Sequence, residues 1–513
     1  MDHPTPGMPA PFLARHFRWL CALGLMLYAA YLFCHISPYA SGSDASGYIN
    51  SARLLARGEF FAAIRPLPGQ AGENIPPQFY QPLGFRVLPQ GRAMVPTYPV
   101  GLPLHLAAMA ALAGRDLAPI FVNIVAALAA GWLLYALGRR QGLPAGWAAA
   151  GTLLLWLCPL FCFMAFQPMS DLLATTWTLA ALYAALRAGD SPPEGAKANE
   201  WRWALAGGAC TGLAVLVRPT NILLALPLVV AMGWRPRRYL WLALGGLPFA
   251  TLLGFYNYKL HGQIVTTGYG DVSSAFSVRF FPHIAAHFAR WIPGLLSPLV
   301  VAALAVPFLP RGRNRDLVVL AAWLAPLIGF YSFYYHSGET WWYLRFILPA
   351  FPVLILAALL TAHHFHERWK PQAPRAWLPP ALALLLLGSA LSWEIGWSRH
   401  FHVADFMKGE SIYLAAAQWM QAHAPADAVV FCMQVSGTFY YYTDFIVARW
   451  DSLDGVDTRQ LFHSLEGQKV PVFAVLFPFE LQDGALKRLG GEWRQLTTLR
   501  AATIWQRLPS PCP

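Results

Sequence analysis

The chain has 513 residues, of which 57% are hydrophobic and only 12% charged, and its mean hydropathy is +0.42. An average soluble domain carries about 25% charged residues, so a solvated globular enzyme is excluded. So is disorder, which needs low hydrophobicity and high charge. The formal net charge of +12 invites nucleic acid, but the placement of the basic residues argues otherwise.

A membrane-crossing helix needs about 20 mostly apolar residues. In chain order the apolar stretches are 17–36, 117–137, 144–166, 172–187, 203–217, 221–233, 239–258, 294–309, 316–335, 346–362 and 377–397. The stretch 98–113 is apolar but brief, holds Pro99 and Pro103, and ends at Arg115 and Asp116. Cytoplasmic loops collect Lys and Arg. If 98–113 does not cross, the inner loops hold sixteen basic residues and the outer loops five, namely Arg218, Lys259, Arg279, Arg290 and Arg345. If it crosses, fourteen of the sixteen turn outward. The expectation is an all-α polytopic membrane protein of eleven spans, with a cytoplasmic N-terminus and an outer C-terminus. The basic excess is then a topology signal that requires no nucleic acid.

Two parts outside the membrane follow. Within a transmembrane domain over 1–397, the loop 37–116 is far longer than a typical connection. It carries an expected amphipathic helix over 46–57, with Tyr48, Ile49, Ala52 and Leu55 on one face and Asn50, Arg53 and Arg57 opposite. The tail, 398–513, reads as a small α/β unit with a helix over 412–424 and strands over 428–433 and 471–476. No internal repeat is visible. The seven cysteines show no CxxC pair and no Cys/His ligand spacing. Cys21, Cys34, Cys158 and Cys210 lie in apolar runs as small hydrophobes. Cys158 and Cys162 share a helix face without an acid or histidine, so no metal is expected there. Cys432 and Cys512 are the pair open to a disulfide in an oxidising compartment.

Charge is nearly absent within the spans, Glu394 excepted. Transporters need ionisable groups at mid-membrane and often show broken helices in repeated halves; neither pattern is evident. A transporter or flippase of lipid-linked or polar solutes is therefore the alternative reading. The polar residues gather instead at the outer surface: Asp44, Asp171, Arg218, Lys259, His261, Glu339 and Arg345. Asp44, in Gly-Ser-Asp-Ala-Ser-Gly-Tyr, fits a helix N-cap or a general base, and Asp171 after Ser170 has the same two readings. Arg218 and Arg345 suit headgroup snorkelling, or phosphate recognition by a planar fork of donors with Lys259 as a point charge beside them. His363, His364 and His366 read as a solvated cytoplasmic helix end. Tyr440, Tyr441 and Tyr442 read as a packed strand, or as a stacking surface for carbohydrate.

Over about residues 15–400 the arrangement resembles the GT-C superfamily of membrane glycosyltransferases. It is most similar to the family-39-like group of protein O-mannosyltransferases and the lipid A aminoarabinose transferase. The resemblance rests on the Asp44 segment, on Tyr98-Pro99-Val100-Gly101-Leu102-Pro103 and on Met169-Ser170-Asp171-Leu172-Leu173. It also rests on residues 212–220 ending in Arg218-Pro219-Thr220, on Tyr256-Asn257-Tyr258-Lys259 with Thr267-Gly268-Tyr269-Gly270, and on Tyr343-Leu344-Arg345-Phe346-Ile347-Leu348-Pro349. It implies a hexosyl- or pentosyltransferase of the bacterial inner membrane, taking its sugar from a polyprenyl phosphate on the periplasmic face. The acceptor would be a lipid or polysaccharide ahead of a protein. By resemblance Asp44 is the base of an inverting transfer and Asp171 orients a substrate. Arg218, Lys259 and Arg345 hold the donor phosphate, and Tyr98, His261, Tyr269 and Glu339 contact substrate. The resemblance also makes loop 37–116 and 98–113 a lid. Two departures stand out. No second acid follows Asp44 two residues on, so a metal between paired carboxylates is unsupported and no cofactor is firmly implied. The lysine of the lipid A transferases before the prolines is Tyr98 here, which leaves donor and acceptor open.

Overall fold

The computed structural model describes residues 12–69, 75–91, 93–190, 199–309, 314–369 and 377–509. Backbone polar groups in hydrocarbon must be satisfied within their own segment, and each apolar stretch lies on helix, from Phe12–His35 to Leu378–His400. Among the described residues, four helices are long and apolar enough to cross a membrane: Ala118–Arg140, Pro236–His261, Trp341–Arg368 and Leu378–His400. The number is six if two bent pairs each count as one span. One pair, Ala145–Leu157 and Pro159–Ala165, bends by 62° where Pro159 cannot supply an N–H. The other corrects the expected span 294–309. An amphipathic helix, Phe281–Leu296, begins well before it, and the chain then turns by 107° into Pro298–Phe308. The brief stretch 98–113 forms Gly101–Ala113, thirteen residues or about 20 Å long, which is short of a hydrocarbon core of about 30 Å. Glu394 is fully buried in Leu378–His400, and neither carboxylate oxygen has a partner.

The long loop and the tail form one body at a single end of the bundle. In the loop, β1 (Ala62–Ala63), β2 (Phe85–Val87) and β3 (Ala93–Pro96) make an antiparallel sheet in the order β1-β3-β2. In the tail, β4 (Val429–Phe431), β5 (Ile446–Ala448), β6 (Val472–Leu476), β7 (Trp493–Leu499) and β8 (Ala502–Arg507) are ordered β5-β4-β6-β8-β7. β4 runs parallel to β5 and β6, while β8 is antiparallel to β6 and β7. The two strands expected from sequence are thus central ones, apolar on both faces because both faces are covered. One face packs on Tyr413, Met420 and Phe439, the other on Leu461 and Phe462 together with Leu67, Phe79 and Tyr80 of the loop.

Two local expectations change. Residues 440–442 lie not on a strand but on the helix Ser436–Tyr442. The helix expected over 46–57 forms as Asp44–Ala56, and of its polar face only Arg57, at the end, stands exposed, while Asn50 is buried and Arg53 half-buried. Asn50 is fully buried and donates to the Gly437 carbonyl at 2.9 Å, and Arg53 donates to the Tyr441 carbonyl at 2.7 Å. Its polar side therefore docks on Ser436–Tyr442. Around Trp147, His363 and His366 pack at ring distances of 5.4 and 5.7 Å, so that helix end is partly covered. Cys432 is buried in the tail's core. Cys512 and the inner-loop residues Lys197, Arg311, Arg313, Lys370 and Arg375 lie outside the described residues.

Candidate active site

Three breaks in helical structure bring the site together. Gly42, at φ +53°, turns the chain so that Asp44 becomes the first residue of its helix, and no side chain caps that helix. The N-cap reading of Asp44 therefore fails. Arg218 is extended at φ −146°, ψ 107° and ends Glu200–Val217, because Pro219 disfavours helical geometry in the residue before it. Arg345 lies in the 3₁₀ segment Trp341–Ala350.

The side chains form two linked ion pairs. Arg345 Nη1 donates to Asp44 Oδ2 at 2.9 Å, and the Tyr98 hydroxyl donates to Asp44 Oδ1 at 2.6 Å. Ser43 lies 2.8 Å from that hydroxyl. Arg218 Nη1 donates to Asp171 Oδ1 at 2.5 Å and to the Arg345 carbonyl at 3.4 Å. The Phe346 ring lies 5.3 Å from each guanidinium carbon, presenting a π-face to both cations. Behind the pairs, Tyr48 donates to Ser170 at 2.9 Å and packs 4.7 Å from Tyr98, which meets Tyr269 edge-on at 5.9 Å. Burial, and next the Asp44 carboxylate, hold the Tyr98 phenol well above its usual range, so it acts as a neutral donor. Tyr269 is raised in the same way, by burial first and then by Tyr48 and Asp44.

The two carboxylates differ in access. The Asp171 side chain is 2% exposed, against 28% for Asp44, so only Asp44 is open to a substrate. Two chambers meet at it. One, of about 300 Å³, is lined by Asp44, Asp171, Arg218, Arg345 and aromatic rings including Phe330, Tyr331 and Phe346. The other, of about 560 Å³, lies toward the tail and shares Asp44, Met169, Tyr343 and Arg345 with the first.

Of the residues singled out from sequence, Asp44, Asp171, Arg218, Arg345, Tyr98 and Tyr269 line the first chamber. Glu339 reaches it through His336, a lining residue 2.5 Å away. Lys259 is exposed and His261 half-buried, and neither lines either chamber. Sequence reasoning passed over His336, Glu410 and Gln434; His336 is masked by a run of aromatics, and the other two sit in the tail. Tyr48 and Ser170 were within reach, since both fall in the segments that carry Asp44 and Asp171. Among the described residues, no group of three or more His, Cys, Asp or Glu could hold a metal ion.

Comparison with known proteins bears on the fold. Residues 98–255 match the family model described as dolichyl-phosphate-mannose-protein mannosyltransferase; this stretch includes Tyr98, Asp171 and Arg218 but not Asp44 or Arg345. ArnT from Cupriavidus metallidurans, in a crystal structure bound to undecaprenyl phosphate, superposes with a TM-score of 0.64 at 15% identity, covering 96% of this chain and 98% of that one. The Archaeoglobus fulgidus oligosaccharyltransferase gives 0.55 at 11% identity, covering 92% of this chain and 71% of that one. The mycobacterial arabinofuranosyltransferase AftD gives 0.57 at 13% identity, covering 96% of this chain but only 40% of that one. No curated protein matches. The structural relatives are GT-C glycosyltransferases, and the chain has their fold.

Proposed function

We propose that this chain of GT-C fold is an integral membrane glycosyltransferase that moves a sugar from a polyprenyl-phosphate donor to a hydroxyl acceptor on the periplasmic face, with inversion. The carrying observation is Asp44, more open than its counterpart Asp171 and fixed by Tyr98 and Arg345 in the wall common to two chambers. The undecaprenyl phosphate bound to ArnT supports the donor class, and the excess of sixteen basic residues over five supports eleven crossings, a cytoplasmic N-terminus and a periplasmic tail in a bacterial inner membrane.

In this reading the donor lies in the aromatic chamber with its phosphate against Arg218 and Arg345. Arg345 keeps a buried Nε–H without a partner, a donor not used by Asp44. The acceptor hydroxyl oxygen bonds to the anomeric carbon as its proton passes to the Asp44 carboxylate. The bond from that carbon to the phosphate oxygen breaks, its electron pair leaving with polyprenyl phosphate, and a single displacement inverts the centre. General-base catalysis of this kind supplies roughly 10²–10⁴-fold, and fixed cations stabilise the departing phosphate in a water-poor site. Asp171, sealed from solvent, orients Arg218.

The test incubates purified protein with radiolabelled polyprenyl-phosphate sugars and membrane extract. Wild type is expected to transfer label and Asp44→Asn to lose at least about 100-fold in rate. Full turnover by Asp44→Asn removes the base, and no transfer from any such donor favours the transporter.

A further inference from the structure

The second chamber differs from the first in its charges. Its walls come from Ser41–Ala45 of the loop, from Phe163, Met164 and Gln167, and from Phe406, Glu410, Tyr413 and Gln434 of the tail. Among the described residues Arg345 is its one cationic lining residue, and that guanidinium is already paired with Asp44. The remaining ionisable carboxyl is Glu410, which faces the same space from the tail helix Phe406–His423. The first chamber, by contrast, has an arginine for each of its two aspartates. The second chamber thus sets two carboxyl groups against one guanidinium, with burial raising the Glu410 carboxyl above its usual range, where the first sets two aspartates against two guanidinium groups.

Its other lining groups suit sugars. Trp342 and Tyr343 stack with ring centroids 4.0 Å apart, giving an aromatic face of the kind on which a pyranose packs. Gln434 donates to the Tyr413 hydroxyl at 2.8 Å, so two neutral hydrogen-bonding groups are held in register beside Glu410. A carboxylate and an amide accept from hydroxyl or ammonium groups, whereas a like charge in a desolvated wall repels an anion.

From this we infer that the second chamber is the acceptor subsite, and that it selects a neutral or cationic saccharide hydroxyl over a phosphorylated or otherwise anionic acceptor, with Glu410 of the tail as the specificity-determining residue. The inference rests on the transferase reading above and adds the class of acceptor. The tail then belongs to the site: it supplies the wall facing Asp44, and the acceptor lies between the two.

The experiment gives full-length protein a radiolabelled polyprenyl-phosphate sugar and a membrane glycolipid extract separated by anion exchange into non-anionic and phosphorylated pools. Wild type is expected to label the non-anionic pool. Glu410→Arg is expected to move the partition toward the phosphorylated pool by at least about tenfold, because it replaces a repulsion of the anion by an attraction. Glu410→Gln is expected to raise the KM for the labelled acceptor more than the KM for donor, with partial rescue by Glu410→Asp. Thermal unfolding of each variant separates a misfolded tail from a changed preference. Label confined to the phosphorylated pool in wild type, or an unchanged partition in a folded Glu410→Arg, overturns the inference and leaves the transferase reading standing. Absence of label in either pool overturns both.

Discussion

Asp44 and Asp171 have the same partner type but opposite degrees of access, and substitution should separate them. Asp171 is almost sealed against Arg218, and removing one partner of a buried pair leaves an uncompensated charge that costs about 3–5 kcal/mol. Asp171→Ala is therefore expected to lower the unfolding temperature in detergent and to reduce activity as a consequence. Asp44 is more open, so Asp44→Asn should lower the rate with little change in melting. Equal melting of both variants with wild type would remove the distinction. The long residues around them are legible in part. The acids and arginines stood out from sequence because charge is rare in so apolar a chain, whereas Glu410 did not, because a charged residue in a water-facing tail is ordinary.

At the scale of elements, close backbone approach holds the site. A Cβ on Gly101 would lie 2.3 Å from the Val217 backbone nitrogen, one residue before Arg218. Backbone cannot step aside as a side chain does, so Gly101→Ala must separate the two helices and shift Arg218. The expected result is loss of most activity and a stability cost of about 1–3 kcal/mol, the usual range for overpacking. Gly146→Ala, where nothing lies within 4 Å, is the control and should behave as wild type. The helix Asp44–Ala56 teaches a related point. Its 3.6-residue pattern announced a helix with an apolar face, and that much was readable. That Asn50 and Arg53 would grip the carbonyls of residues 437 and 441 was not, because a polar face reads alike whether it meets water or unpaired backbone acceptors.

At the scale of the whole molecule, the loop 37–116 and the tail share a core and cap the same end of the bundle as the site. The proposed topology puts that cap outside the cell. With Cys34 replaced by Ala, His463→Cys should react with a membrane-impermeant thiol reagent on intact cells, whereas Arg202→Cys should react only after the membrane is opened. The reverse pattern would invert the topology and carry the site to the cytoplasm.

By itself the sequence determined the membrane-embedded character, the apolar helices, the central strands of the tail and a short set of candidate acids and arginines. Each of these is written in local composition, periodicity or chain chemistry such as the proline after Arg218. Only the tertiary structure decided that Asp44 meets Arg345 across 301 positions of chain, that Asp171 meets Arg218, that Lys259 and His261 stand apart, and that the tail closes a second chamber. Such pairings depend on how helices pack, and packing is set by the joint fit of distant side chains rather than by any one segment.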